Sequence, residues 1–300
     1  MEDSSSHNMR LAAFEWLQQV APAKDYVLDW NDLTRGFQYN EKPIVLIGAR
    51  GIWKPKQIKQ YPISITSVQS SIYTDKFVDD STLHYSYRGE DPKHPDNIGL
   101  RNAMRDKVPL IYFHQILKGR YFVAWPVFII GDEPDKLRFT VAAESNSVLI
   151  GENVVEEPVV EYSRRYQTRE VLTRLHQSTF REHVLRAYRD HCAICKLKHR
   201  VLLDAAHIIP DREQWGDPIV PNGISLCKIH HAAYDNSIIG ISPDYEINVR
   251  EDILKEIDGP MLKYGIQNLN KQNLILPRNE VNWPDQERLD IRYQQFLKTG

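Results

Sequence analysis

The sequence predicts an α+β protein in two parts: a mostly β first half and a smaller second module of short strands and helices built around metal-ligating side chains. Three observations predict it. In the first half, short apolar runs at 44–47, 110–114, 121–130 and 137–142 are separated by Gly, Pro and Asp, which is the pattern of short strands joined by turns. Between 166 and 190, Leu172, Leu175, Phe180, Val184, Leu185 and Tyr188 recur at helical spacing with no Pro or Gly among them. All three cysteines, Cys192, Cys195 and Cys227, lie close together in the second half.

The elements follow in chain order. Asn8 to Val20 is predicted as an amphipathic helix with Leu11, Phe14 and Leu17 inward, stopped by Pro22. From Ile44 onward the strand-like runs predict a compact barrel or strongly curved sheet filling residues 1–155. Glu152 to Tyr162 is acidic, rich in valine and contains Pro158, so residues 156–165 are predicted as a linker or edge strand. Residues 166–300 form the second module. It opens with one long helix or two short ones, which deliver the chain into the Cys192–Cys195 pair. Val201 to Ile209 is apolar and strand-like, and Ser225 to Asn236 reads as a strand end running into a short helix. A last helix is predicted over Gln286 to Leu297, with Arg288 and Arg292 one turn apart, as packing that completes the module.

Composition excludes some classes. A chain of 300 residues with 42% apolar content can form about two domains with ordinary cores. It has no apolar run long enough to span a bilayer and no recognisable signal peptide, and its few thiols read as reduced; the expectation is a cytoplasmic protein without membrane association. The net charge of −2 does not advertise a polyanionic partner, but residues 164–200 carry ten Lys or Arg against three Asp or Glu. That stretch is either a phosphate-contacting surface or a solvated helix face.

The cysteines carry the first chemical signal. Cys192-x2-Cys195 and Cys227-x2-His230 are two ligand pairs separated by a loop of 31 residues. Together they supply a Cys3His tetrahedron, and a closed four-ligand set marks structural rather than catalytic zinc. Unrelated buried thiols would not place all three cysteines and a histidine at ligand spacing.

His207, Asn222, His231 and Asp235 remain, with Asp204 nearby. His231 and Asp235 are separated by four residues, so on a helix they share a face and can hold one divalent cation. His230 and His231 diverge by about 100° on the same helix, which lets one face the zinc and the other a reaction centre.

These residues resemble the HNH, or ββα-metal, endonuclease family. The intervals of fifteen residues from His207 to Asn222, nine to His231 and four to Asp235, and the phrase Asn222-Gly-Ile-Ser-Leu-Cys-Lys-Ile-His-His-Ala-Ala-Tyr-Asp235, are similar to the family core. The resemblance covers about 60 residues. It implies a ββα-metal module with flanking helices and a Cys-rich zinc staple, in which His207 is the general base, Asn222 braces the loop and orients that base, and His231 and Asp235 bind the metal. Many members carry a ligand immediately before the base, and here that position is Ala206. Alternation along a strand places Asp204 on the same face, which makes Asp204 the candidate substitute ligand.

The chemistry is consistent with those residue types. A neutral histidine can take a proton from water near pH 7, and a cation with open positions can stabilise the phosphoryl group and the departing oxygen. Mixed nitrogen and oxygen ligation suits Mg, Mn, Ni or Zn. The resemblance implies products with 5′-phosphate and 3′-hydroxyl ends.

In the first half, Tyr73-Thr-Asp75, Asp79-Asp80, Tyr85-Ser-Tyr87-Arg-Gly89, Asn97 to Arg101 and Gly119-Arg-Tyr121 fall in an order that resembles SRA-type domains of the PUA-like group. Such domains flip a modified base out of duplex DNA. A flipped base needs an aromatic face and a polar edge partner; Tyr73 and Tyr87 are candidates to stack, and Asp75 or Asp80 to accept from an exocyclic amine. The alternative is that these tyrosines are ordinary sheet residues. The loop Arg50-Gly-Ile-Trp53-Lys54-Pro-Lys56 is basic and aromatic, suited to a groove or phosphates, or else a packed Trp53 between solvated lysines.

The combined expectation is a modification-dependent restriction endonuclease, a DNA reader joined to a cutter, acting on double-stranded DNA that carries a modified cytosine. A homodimer is an open expectation, because one HNH centre cuts one strand. The alternatives are an HNH nuclease of unmodified DNA, a ligand-activated effector nuclease, and a zinc-stapled DNA-binding protein without activity.

Overall fold

Strand-forming and helix-forming periodicities sort into two compact units, Met1–Ser178 and Thr179–Gly300. The structure is a computed structural model and describes residues 3–68, 83–144 and 157–299, with only the backbone of 157–165.

In the first unit, α1 (Ser4–Val20) begins before the expected Asn8 because the Asp3 side chain accepts a hydrogen bond from the Ser6 amide and caps it. Met9, Ala13, Phe14 and Leu17 form its buried stripe, with Leu11 only partly covered. After β1 (Val27–Asp29), the short α2 (Trp30–Arg35) is held by a reciprocal capping box between Asp29 and Asp32. A hairpin follows, β2 (Phe37–Tyr39) with β3 (Lys42–Ile44).

The main sheet contains β4 (Ile52–Trp53), β5 (Ser64–Val68), β6 (Leu83–Ser86), β7 (Leu110–Leu117), β8 (Arg120–Glu133) and β9 (Arg138–Ala143) in the order β4-β5-β7-β8-β9-β6, with β1 also paired to β8. Among the described residues, only β5 and β7 run parallel. The helix α3 (Pro95–Arg105) lies in the chain between β6 and β7. Both faces of β7 are buried, which is why it reads as a continuous apolar run. Leu110, Tyr112 and Ile116 enter one core, while Ile111 and Phe113 enter the core under α1. The sheet curls, since the Tyr85 hydroxyl of β6 lies 3.5 Å from the Thr66 carbonyl of β5. It is strongly curved, as one expectation had it. Closure into a barrel is not seen among the described residues, because the end strands β4 and β6 share no ladder.

One polar cluster sits inside this unit. Ser67 Oγ lies 2.7 Å from Tyr112 Oη and 2.9 Å from His114 Nδ1, and His114 is 1% exposed. Burial holds the His114 pKa down to about 4. An unfolded histidine takes up a proton near 6.5, so the neutral buried form stabilises fully above that value, and the stabilisation is lost as pH falls from 6.5 toward 4. The loss amounts to about 3 kcal/mol. Urea titrations at pH 7 and pH 4.5 should show it, and His114→Gln should flatten that difference.

The connection predicted at 156–165 is corrected by the structure: residues 157–165 are helical. They belong to α4 (Glu157–Ala187), a single helix of 31 residues. Pro158 stands in its first turn, where a missing N–H costs no intrahelical bond. Leu172 and Leu175 enter the first unit's core, and Phe180, Val184 and Leu185 the second unit's. Part of the basic stretch is internal. Arg181 donates to the Arg200 and Leu203 carbonyls, and Arg200 pairs with Glu182, which is 2% exposed, and with Asp190.

The second unit pairs β10 (Leu203–His207) antiparallel with β11 (Gly223–Cys227), and β11 runs directly into α5 (Lys228–Asp235). A second hairpin, β12 (Ile239–Ile241) with β13 (Ile247–Val249), is followed by α6 (Glu251–Lys255), α7 (Pro260–Gly265) and α8 (Gln286–Leu297). No helix among the described residues is long and apolar enough to cross a membrane.

Candidate metal and catalytic site

The turn after α4 places Cys192 and Cys195 beside the junction of β11 and α5, where Cys227 is the last strand residue and His230 faces inward from the first helical turn. The four ligand atoms all lie within 4.8 Å of one another. Cys195 Sγ is 3.9 Å from Cys227 Sγ, and His230 Nδ1 is 3.5 Å from Cys192 Sγ and 3.2 Å from Cys227 Sγ. A zinc tetrahedron with bonds of 2.0–2.3 Å requires about 3.8 Å between sulfurs and about 3.6 Å between sulfur and nitrogen, so the donor set and spacing suit zinc. His230 Nε2 donates to the Gly265 carbonyl at 2.9 Å, which leaves Nδ1 as the ligating nitrogen and fixes its tautomer. The Cys227 thiol, hydrogen-bonded to Cys192 and buried, is pushed up to about 11. A divalent cation would deprotonate it outright.

The second cluster lies on the other side of α5. His231 Nε2 is 3.3 Å from Asp235 Oδ2 one turn on, and His231 Nδ1 is 3.4 Å from Asp204 Oδ2 on β10. The imidazole therefore stands between two carboxylates, one at each nitrogen. The Asp204 contact holds the His231 pKa above its ordinary value, and the same bond holds Asp204 below its own. Two donors on one octahedral cation at 2.0–2.1 Å stand about 3 Å apart, close to the His231–Asp235 separation.

His207 ends β10 opposite Gly223. Its ring stacks on Phe180 with centroids 4.0 Å apart and 21° between planes. That approach needs Gly223, because a Cβ there would lie 2.5 Å from Val184 and 2.7 Å from Phe180. His207 Nε2 is buried and has no hydrogen-bond partner among the described residues. Burial holds its pKa below the ordinary histidine value, and Asp211, His231 and Asp235 are near enough to act on it electrostatically. Asn222, fully buried, accepts from the Ile209 amide and donates to the Ile209 and Asp217 carbonyls at 2.9–3.1 Å. It thus ties both ends of the loop that leaves His207.

Residues 192–242 match the family model described as HNH endonuclease. The chain carries an HNH endonuclease domain.

Comparison with curated proteins gives no match. Among solved structures the chain is similar to "Modification dependent TagI restriction endonuclease", at 15% identity over 79% of this chain and 82% of that one, with a TM-score of 0.31. It is also similar to "Type IV phosphorothioation-dependent restriction endonuclease ScoMcrA", at 16% identity over 57% of this chain and 46% of that one, with a TM-score of 0.24. Likenesses this distant transfer no activity. The HNH assignment stands on the family match and the Cys3His cluster.

Around the HNH domain, three contacts escaped the sequence reading. Phe180 holds the plane of His207, and Gly265 fixes the His230 tautomer. Arg292 of α8 lies over the Tyr234 ring, 5.2 Å from its centroid, and 4.0 Å from Asp235 Oδ1. The four-residue spacing of Arg288 and Arg292 was the available signal for the last of these.

The predicted base-reading residues fare differently. Tyr73, Asp75 and Asp80 lie outside the described residues. Tyr87 is 7% exposed, its ring lies against Phe139, and its hydroxyl meets Asp132 and Arg101. It is a core residue here, which corrects its expected stacking role. Trp53 is half-buried at the end of β4 and donates its indole N–H to the Val45 carbonyl. Arg50 and Lys54 are exposed, with Lys54 Nζ donating to the Lys59 carbonyl at 2.9 Å.

Proposed function

We propose that the chain is a metal-dependent DNA endonuclease whose first unit reads a modified cytosine and whose HNH domain cuts. The observation that carries the catalytic half is His207 Nε2, buried, unpartnered and on a ring held neutral at pH 7. A neutral imidazole nitrogen with nothing to bond is a ready acceptor for the proton of an attacking water. Phe180 fixes the ring plane, and Asn222 fixes the backbone on both sides of the base's loop.

His231 Nε2 and Asp235 are the pair suited to a divalent cation, with Asp204 orienting the imidazole through Nδ1 from behind. A Mg, Mn or Ni ion there would supply charge neutralisation at the phosphoryl oxygens and stabilise the leaving oxygen. The zinc at Cys192, Cys195, Cys227 and His230 would be structural, fixing the start of α5 and so the direction of His231. Exposed Arg186, Arg189, Lys196 and Lys198 offer charges for phosphates of a bound duplex.

Support for the reader comes from the SRA-like order of residues, from a separate unit with its own cores, and from a recess of about 320 Å³ in that unit. Tyr26 and Trp125 give that recess aromatic walls, and Glu144, Gln167 and Arg174 give it polar groups. A base needs both kinds of contact.

Binding of full-length His207→Ala protein to matched duplexes, unmodified or carrying 5-methylcytosine or 5-hydroxymethylcytosine, tests the reader without interference from cleavage. At least tenfold tighter binding to one modified duplex is the expected result. Equal affinities would overturn the reader and leave the nuclease assignment standing.

A further inference from the structure

The loop between His207 and Asn222 carries a tryptophan where a folding argument alone would not put one. Trp215 is 46% exposed and has a φ of 77°. A left-handed backbone is unusual for any bulky residue and persists only where the surroundings impose it. Here they do. Arg288, with 11% of its side chain exposed, donates from Nε to the Trp215 carbonyl at 3.0 Å and reaches Asp217 at 3.6 Å. Gly216 donates to the Glu213 carbonyl at 3.0 Å, and its packing leaves no room for a side chain, because a Cβ would lie 2.0 Å from the Pro210 carbonyl oxygen. Asn222 holds Asp217. The backbone under Trp215 is thus pinned from three directions while the residue keeps nearly half of its surface exposed.

Packing accounts for only part of this arrangement, because the 46% of the residue that stays exposed adds nothing to the fold. Charge does not explain it either, since Asp211, Glu213 and Asp217 outnumber the single cation Arg212 in this stretch and leave it net negative. A half-exposed aromatic face on a braced backbone, eight residues along the loop from His207, suits stacking on a base or sugar, which depends little on sequence. We propose that Trp215 is a positioning residue that stacks on DNA beside the scissile phosphate and sets the strand against His207. Arg288 of α8 is then the brace of a substrate contact and not merely packing.

This inference rests on the nuclease reading, and the test separates the two. Full-length wild-type, Trp215→Ala and Trp215→Phe proteins are compared on one cleavable duplex with saturating divalent cation, together with thermal melting and tryptophan fluorescence on DNA addition. Trp215→Ala should raise KM roughly tenfold with much less change in kcat, lose the DNA-induced fluorescence change and keep the wild-type melting temperature. Trp215→Phe should recover most of the KM. Wild-type KM and an intact fluorescence response in Trp215→Ala, beside active wild-type protein, would overturn this proposal alone. So would equal losses in both variants with lowered melting temperatures, which would mark Trp215 as a packing residue. A wild-type protein that cuts no duplex would overturn the nuclease reading itself.

Discussion

Removing the metal at the Cys3His site, or replacing Cys192 with Ser, is expected to unfold the HNH domain. Three ligands are contributed by the turn after α4 and the strand end, and the fourth by α5, so an ion there would tie all three segments at one point, at the edge of the apolar core that Cys192, Ala193, Leu226 and Cys227 share. Hydrogen bonds also cross this junction: the Ala193 amide donates to the Ser225 carbonyl and the Ile275 amide to the Ala193 carbonyl, and the Ser225 side-chain hydroxyl donates to the His191 carbonyl. A structural zinc contributes roughly 10 kcal/mol or more of apparent binding energy, most of it expressed as folding energy. Elemental analysis should find zinc bound to wild-type protein. Strong chelation or Cys192→Ser should remove the domain's cooperative melting transition or lower it by more than about 10 °C. An unchanged transition in metal-free protein would contradict the structural role.

His207→Ala is expected to reduce single-turnover cleavage by roughly 10²–10⁴-fold while leaving DNA affinity and melting temperature near wild-type. The expectation follows from the ring's position. It stacks on Phe180 but makes no hydrogen bond through Nε2, so truncation removes the proton acceptor without breaking a polar network. Removing the ring leaves a small void beside Phe180 and Val184, a modest cost set against the kinetic one. Quench-flow rates on an end-labelled duplex measure the effect directly. A rate within threefold of wild-type would reassign the general base.

Much of the HNH domain was legible because its signals are local. Ligand pairs at two-residue spacing, the i, i+4 pair His231 and Asp235, and the apolar strand leading to His207 are all read within a few residues of one another. The last helix was placed at Gln286 to Leu297, where α8 lies. What depended on distant chain was not legible. Nothing near position 231 says that Asp204 takes one nitrogen of its ring and Asp235 the other. Nothing near 207 says that Phe180 will lie on the His207 ring.

The first unit shows the same rule in reverse. Strands β7, β8 and β9 were visible as apolar runs, but their order in the sheet and the parallel pairing of β5 with β7 come from long-range pairing that no window reveals. Tyr87 looked available because a tyrosine on a strand can face either way. The partners that bury it, Phe139, Asp132 and Arg101, lie far along the chain. Residues 157–165 looked like a linker because of Pro158, yet a proline in the first turn of a helix starts it and does not break it.

The most direct test of the central claim is cleavage of supercoiled plasmid DNA carrying 5-methylcytosine, using zinc-loaded wild-type protein freed of loosely bound cations and then given Mg or Mn stepwise. The account predicts no cutting before the cation is returned, nicked or linear DNA with 5′-phosphate ends afterwards, and little or none from His207→Ala under the same conditions. Cutting that needs no added cation, or that persists in His207→Ala, would contradict it.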